Sequence, residues 1–327
     1  MAATTPRVSA VIFDLDGTLL DTERATRDVL NEFLAAYGKV PDKEKEERRL
    51  GQMYRESTTG IIADYGLPLT VEEYAVAIYP LYLKRWQKAK PLPGVERLVK
   101  HLHRNGVPLA LASNSVRRNI DHKLLKLKDW KDCFSVILGG DQVPRGKPSP
   151  DIVGVQGARA SGAKVVAVPS LQSQRQHYSI ADSILYSLLD FHPELWGLPP
   201  FEDRCFTNRT IILECPDRPC NFKESSYGDC TYEYVPDQIS GFFFGWAKPE
   251  AGGVSRSVIS IGWDFSLRTV ERVMITTEEP LKLQLVGYIR KLQSTENISQ
   301  ALAITDEDQA IARDALDLPV FSEHAKL

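Results

Sequence analysis

The chain has 327 residues, 43% of them apolar, with 40 basic and 43 acidic side chains and a net charge of −3. That length allows two domains with sizeable cores. The near-neutral balance argues against a nucleic-acid or membrane-surface partner and leaves small-molecule substrates as the expected ligands. No apolar run approaches a membrane span, and residues 1–10 lack the plan of a signal peptide, so a cytoplasmic protein is expected.

Residues 8–13 form an apolar run that predicts a buried parallel strand. Asp14 and Asp16 follow, and Gly17 and Thr18 turn the chain away. In an open α/β sheet, ligands sit beyond the carboxyl ends of the strands, which is where this acid pair falls. The period of two points both carboxylates the same way, so they are candidate ligands of one Mg²⁺. A carboxylate beside such a cation can attack phosphorus, and its neighbour can protonate the leaving oxygen. The plainer reading is an acidic turn after a buried strand.

From residue 23 to 37 the spacing of Val29, Leu30, Phe33 and Leu34 predicts a helix. Residues 43–49 are charged and read as a solvated helix face. Further helical segments are expected over 58–65 and 71–88. Helices inserted over about residues 22–90 read as a cap above the site or as a plain helical subdomain. A helix over 95–104 then leads to a strand at 108–112, followed by Ser113-Asn114-Ser115. A hydroxyl and a backbone N–H at that place can hold a phosphate oxygen; the same residues can also cap a helix. A third strand, 134–138, ends at Gly139-Gly140. Lys147 stands between Gly146 and Pro148, as a surface lysine or as an ammonium facing phosphate.

The stretch around Asp14 resembles the first motif of the haloacid-dehalogenase-type phosphatases. The resemblance implies Asp14 as nucleophile, Asp16 as acid/base, and both as Mg²⁺ ligands. It implies Thr18, Ser113, Asn114 and Lys147 as phosphate-binding residues. It also implies a further helix and strand ending in an acidic pair that completes the Mg²⁺ site. Between Asp151 and Lys164 this chain has no acidic residue at all. It passes straight to a helix-like segment and a strand at 164–168. A helix is expected over 181–189, then a Pro- and aromatic-rich linker over 188–201. The phosphatase-like domain is placed at 1–196 and a second domain at 197–327.

Of five cysteines, Cys133 stands alone as a small core residue. Cys205, Cys215, Cys220 and Cys230 form a cluster without a paired C-x-x-C; zinc and free thiols in a reducing compartment are both open.

The second half reads as β. Strands are expected at 241–247, 258–263 and 281–290, and a closing helix over 306–316 carries Ile311, Ala312 and Leu316 inward. Short strands with a terminal helix suggest a small barrel. The strings Ser240-Gly-Phe-Phe-Phe-Gly-Trp-Ala247, Ser260-Ile-Gly-Trp-Asp264, Leu285-Val-Gly-Tyr-Ile-Arg290 and residues 310–321 resemble the riboflavin kinase domain. The linker resembles the join in plant enzymes that fuse an FMN phosphatase to a riboflavin kinase. This implies an α/β, Rossmann-like hydrolase domain with an inserted helical cap, followed by a β-barrel-like domain with a C-terminal helix. The implied reactions are Mg²⁺-dependent hydrolysis of FMN and phosphorylation of riboflavin by ATP. Glu271, in Arg268-Thr-Val-Glu271, matches the position of the catalytic glutamate. The glycine- and basic-rich loop ending in Pro-Thr-Ala-Asn that serves Mg-ATP in that family has no counterpart between Cys205 and Cys230; Thr207-Asn208 is too short. A general phosphomonoester phosphatase and a shortened, impaired relative are the other readings. Nothing in the sequence reports the oligomeric state.

Overall fold

The computed structural model describes residues 8–49, 54–147, 149, 151–152, 154–169, 172–202, 211–214, 237–248, 253–265, 270–277, 282–292, 298–322 and 325. The chain divides into two units, Met1–Phe201 and Glu202–Leu327.

The first unit begins with strand β1, Val11–Phe13. Past Asp16 the chain doubles back: Leu19 and Leu20 both donate to the Leu15 carbonyl (2.9 and 3.0 Å), and Gly17 donates to Leu20. Gly17 has φ +73°, a conformation side chains resist, so the turn needs glycine there. Five helices follow: α1 (Thr22–Thr26), α2 (Val29–Ala35), α3 (Lys43–Glu47), α4 (Tyr54–Tyr65) and α5 (Val71–Trp86). They close over their own core of Val29, Phe33, Leu34, Ile61, Tyr65, Leu67, Tyr74 and Ile78. A Thr70/Glu73 capping box starts α5. The solvated face expected over 43–49 is not wholly solvated: the Arg49 side chain is 8% exposed and is paired to Asp64 at 2.5 Å. The Tyr65 ring lies beneath its guanidinium, which is how the charge tolerates burial. The exit of this helical insert runs beside its entrance, with Asp21 N donating to Lys90 O (2.9 Å) and Leu92 N to Leu19 O (3.0 Å).

Helix α6 (Val95–Arg104) leads to β2 (Leu109–Ser113), then α7 (Arg117–Lys123), α8 (Lys128–Lys131) and β3 (Val136–Gly139). The strands form a parallel sheet in the order β1-β2-β3, with Phe13 opposite Leu111 and Leu111 opposite Ile137. Leu15, Leu19, Leu98, Leu102, Leu111 and Trp130 fill the core around it. After α9 (Val155–Ala160), β4 (Val166–Ala167) pairs in parallel with β5 (Ser183–Ile184) as a separate sheet. Among the described strands, β1 therefore has β2 on one side and no strand on the other, and Ile12 is 48% exposed.

The helix expected over 181–189 does not form. Asp182 N and Ser183 N donate to the Val165 carbonyl, and the Asp182 carboxylate accepts Val165 N at 2.9 Å. That pairing draws the segment into β5 and a short 3-10 turn, Leu188–Asp190.

The second unit is a five-stranded antiparallel sheet of β6 (Ile211–Glu214), β7 (Gly241–Lys248), β8 (Ser255–Phe265), β9 (Val270–Thr276) and β10 (Lys282–Arg290), in the order β6-β10-β7-β8-β9. Its period-2 alternation makes two apolar faces. Ala247, Ile259, Ile261, Met274, Leu283 and Leu285 lie in one cluster. Phe244, Trp246 and Val258 lie in the other, beneath Ala312 and Leu316. The barrel-like sheet is open between β6 and β9 among the described residues. The chain continues through α10 (Ile298–Ala301), α11 (Asp306–Leu316) and α12 (Pro319–Ser322). Ala312 and Leu316 face inward as expected, but Ile311 is 42% exposed. The inward row of α11 runs through Asp308, Ala312 and Leu316 at spacings of four, because Asp308 is drawn in by Arg290 (2.7 Å).

Candidate active site

Three chain segments end at one rim. β1 delivers Asp14 and Asp16, β2 delivers Ser113, Asn114 and Ser115, and the loop after β3 delivers Lys147. The approach is tight. A Cβ on Gly140 would stand 2.5 Å from the Asn114 carbonyl oxygen, so only glycine lets the end of β3 pass that close.

Lys147 Nζ donates to Asp14 Oδ1 at 2.6 Å and to the Ala112 carbonyl at 3.0 Å. The Asn114 side chain is engaged at the rim: its Oδ1 accepts the backbone N–H of Lys147 at 2.7 Å. It therefore fixes the loop that carries the lysine. Asp16 is more heavily engaged. Oδ1 accepts from Thr22 (2.7 Å) and Lys123 Nζ (2.7 Å), while Oδ2 accepts from Ser113 (3.2 Å) and Ser115 (3.0 Å). Thr18 stands in the turn just past the acids, its backbone N–H on the Leu15 carbonyl at 3.4 Å.

The two carboxylates thus sit in different environments. The Asp14 side chain is 39% exposed. The surrounding protein nonetheless strips enough water to push its carboxyl above the ordinary range, against the opposing pull of Lys147. Burial also works against ionised Asp16. There the Lys123 ammonium and the hydroxyls of Thr22 and Ser115 outweigh it and hold the carboxyl below the usual range.

Lys123 is absent from the residues expected of the site. It ends α7 with its side chain 5% exposed and also donates to Ser115 Oγ at 2.8 Å. Trp86, the last residue of α5, covers it, with the ring centre 5.0 Å from Nζ. The faint signal in the sequence is spacing: Lys123 lies three residues after Ile120, on the helix face that is otherwise buried.

The expected Mg²⁺ site is not completed by these donors. Mg²⁺ requires near-octahedral oxygen coordination. Here Asp14 holds one ammonium and Asp16 another, and four donors already converge on Asp16. Among the described residues no group of three or more His, Cys, Asp or Glu side chains converges as a metal site. Glu271 lies on β9 with its backbone opposite Asp264, and its side chain lies outside the described residues. Cys205, Cys215, Cys220 and Cys230, and Thr207-Asn208, also lie outside them, apart from Cys133, a free buried thiol.

A parallel sheet with an acid pair at its rim, a serine after the second strand and a lysine after the third defines a haloacid dehalogenase-like hydrolase, and the family model of that description matches residues 8–168. The fold is shared with CbbY from Rhodobacter sphaeroides, solved in complex with phosphate, at a TM-score of 0.50 and 24% identity over 56% of this chain and 96% of that one. A (DL)-glycerol-3-phosphatase of Arabidopsis thaliana is 32% identical over 60% of this chain and 76% of its own length. The likeness that spans both units is to a bifunctional riboflavin kinase/FMN phosphatase of Arabidopsis thaliana, 37% identical over 96% of this chain and 95% of that protein. The chain belongs to the bifunctional riboflavin kinase/FMN phosphatase family, a family of enzymes. The alignment runs over 365 positions, more than the 327 residues of this chain, so the relative carries segments that this chain lacks. No helix among the described residues is long and apolar enough to cross a membrane.

Proposed function

We propose that the first unit hydrolyses the phosphomonoester of FMN to riboflavin and phosphate, with Asp14 as nucleophile. The observation that carries this reading is the Asp14–Lys147 pair at the sheet rim, a carboxylate left partly open to solvent and steadied by one ammonium. In the first step an Asp14 oxygen bonds to phosphorus as the ester P–O bond breaks, and the leaving oxygen takes from Asp16 the proton that Asp16 gained from water in the preceding turnover. In the second, water attacks phosphorus, its proton goes to Asp16, and the Asp14–phosphorus bond breaks. The donors around Asp16 hold its carboxyl low, which makes it a ready donor to the leaving oxygen. Lys147 offsets the charge that gathers on the phosphoryl oxygens, and Thr18 and Ser113 are proposed as phosphate contacts, the Ser113 hydroxyl turning from its bond to Asp16 to do so. No step is assigned to Mg²⁺, because the donor set does not complete its site.

The second unit is proposed to form FMN from riboflavin and ATP, with Glu271 orienting the ribityl hydroxyl. Support for this half comes from the two-unit relative and the sequence strings of β7, β8 and β10. A cytoplasmic location is proposed with it, in keeping with the free thiol of Cys133.

Phosphate release from FMN tests the first half. The full chain is expected to release phosphate and Asp14→Asn is expected to fall to background; a silent wild type, or release that survives in Asp14→Asn, overturns it. Conversion of riboflavin and ATP to FMN, lost in Glu271→Gln, tests the second half; no FMN formed overturns that.

A further inference from the structure

We propose that Lys123 is a built-in counter-cation: its ammonium occupies the place beside Asp16 that a divalent metal ion would need, and the acid pair is charge-balanced from within the chain. The inference goes beyond the assignment of a substrate and does not depend on which ester the first unit hydrolyses.

Three observations converge on it. The first is contact. Nζ reaches Asp16 Oδ1 at 2.7 Å and Ser115 Oγ at 2.8 Å, and Ser115 Oγ itself donates to Asp16 Oδ2 at 3.0 Å. Both carboxylate oxygens are therefore held by one small network that has the ammonium at its centre.

The second is enclosure. A solvated lysine swings freely and yields its place to a cation readily. This one is 5% exposed and has the Trp86 ring over it at 5.0 Å. Trp86 is in turn stacked on Tyr82 (5.4 Å) and met edge-on by Tyr79 (6.1 Å). Tyr79 also contacts α7 through Arg118, 4.6 Å from its ring centre, and His122, 6.2 Å between ring centres. Tyr79, Tyr82 and Trp86 lie at helical spacings of three and four, so one face of α5 rests on the turn of α7 that carries the lysine. Moving the ammonium away from Asp16 means breaking into this aromatic cover and taking from a partly shielded carboxylate, 28% exposed, its one charged partner among the described residues, which is costly.

The third is arithmetic of charge. Asp14 and Asp16 bring two negative charges, and Lys147 and Lys123 bring two positive ones, each in direct contact with its own acid. A divalent cation placed among these groups would face two ammonium ions at close range. It would also find no further acidic group among the described residues to complete its coordination.

Mn²⁺ binding to the full chain, followed by the electron paramagnetic resonance of the free ion, tests the proposal without any turnover. The unmodified protein is expected to take up no Mn²⁺ at the site. Lys123→Gln, which keeps a hydrogen-bond donor, and Lys123→Met are expected to bind at least about tenfold more tightly, because a unit like charge beside a bound cation costs more than that factor. Adding Asp16→Asn to either variant is expected to abolish the gain. Tight binding by the unmodified protein that Asp16→Asn removes, or a folded Lys123→Gln that binds no better, overturns the proposal. The unmodified protein supplies a second reading that needs no variant. The ¹⁵N-lysine spectrum is expected to show the Lys123 ammonium as a slowly exchanging signal that millimolar Mg²⁺ leaves unchanged. Loss or shift of that signal with Mg²⁺, or its absence, overturns the proposal.

Discussion

Lys147 Nζ bridges the tip of β1 and the end of β2, donating to Asp14 Oδ1 at 2.6 Å and to the Ala112 carbonyl at 3.0 Å. The side chain thereby ties the proposed nucleophile to the neighbouring strand. Lys147→Met should cut phosphate release from FMN by about a hundredfold or more, the usual effect of losing one charge-stabilising donor at a reacting group. Steady-state rates checked beside a thermal melt separate this from unfolding: the rate falls while the melt moves little.

Gly140 acts at one remove from the chemistry. A methyl group there would meet the Asn114 carbonyl oxygen at 2.5 Å. Asn114 must then shift, and its Oδ1 is what holds the Lys147 backbone at 2.7 Å. Gly140→Ala is expected to reduce turnover roughly tenfold to a hundredfold, since misplacement by about an ångström costs that much. The expected readout is a lower kcat on FMN; an unchanged kcat in a folded variant would show that the loop accommodates the methyl group without moving the lysine.

Asp14, Asp16, Ser113 and Lys147 are legible in the sequence. Asp14, Asp16 and Ser113 end or closely follow apolar runs that stop at a sheet rim, so their place in space follows from their place in the chain. Lys147, eight residues past β3, is marked instead by its setting between Gly146 and Pro148 and by the family resemblance. Lys123 is not legible in that way, because a lysine beside Leu124 at a helix end reads as surface. Its burial depends on Trp86, far away in sequence and folded back over it. The failed helix at 181–189 has the same cause. Ile184, Leu185, Leu188 and Leu189 have helical spacing, but a carboxylate on Asp182 and the Val165 backbone decide the outcome. Ile311 follows too: nothing local announces that Asp308 will take the inward position on α11.

Trp86 joins the helical insert to the core beneath it. Its side chain is 7% exposed and touches Tyr79, Tyr82 and Lys123. Trp86→Ala should destabilise the first unit by about 3–5 kcal/mol, the range for truncating a buried aromatic. Urea unfolding followed by circular dichroism checks it, with a shift in midpoint expected at unchanged slope.

Asp308 offers a pH test in the second unit. Its carboxylate, 1% exposed, accepts from Arg290 Nε at 2.7 Å and from Thr305, and these bonds hold its carboxyl down at about 2. The folded value lies below the ordinary 3.8, so the carboxylate contributes stability above that value and loses it as pH falls from 3.8 toward 2. Arg290 is 34% exposed, and solvent screening trims the effect to about 1–2 kcal/mol. Asp308→Asn should therefore unfold at lower urea than wild type at pH 7. The gap should narrow as the pH is taken below about 4.

The neck of the helical insert carries a consequence for how such a chain diversifies. Residues 19–21 and 90–92 run side by side and are stitched by two backbone hydrogen bonds. The helices between them leave and rejoin the core through this one neck, and two of their residues reach the rim: Thr22 donates to Asp16 and Trp86 covers Lys123. Closing a long loop rather than a short one costs little extra free energy. A lid of another size can therefore be grafted at this seam, and its selectivity reshaped, provided that it keeps a donor for Asp16 and a cover for Lys123.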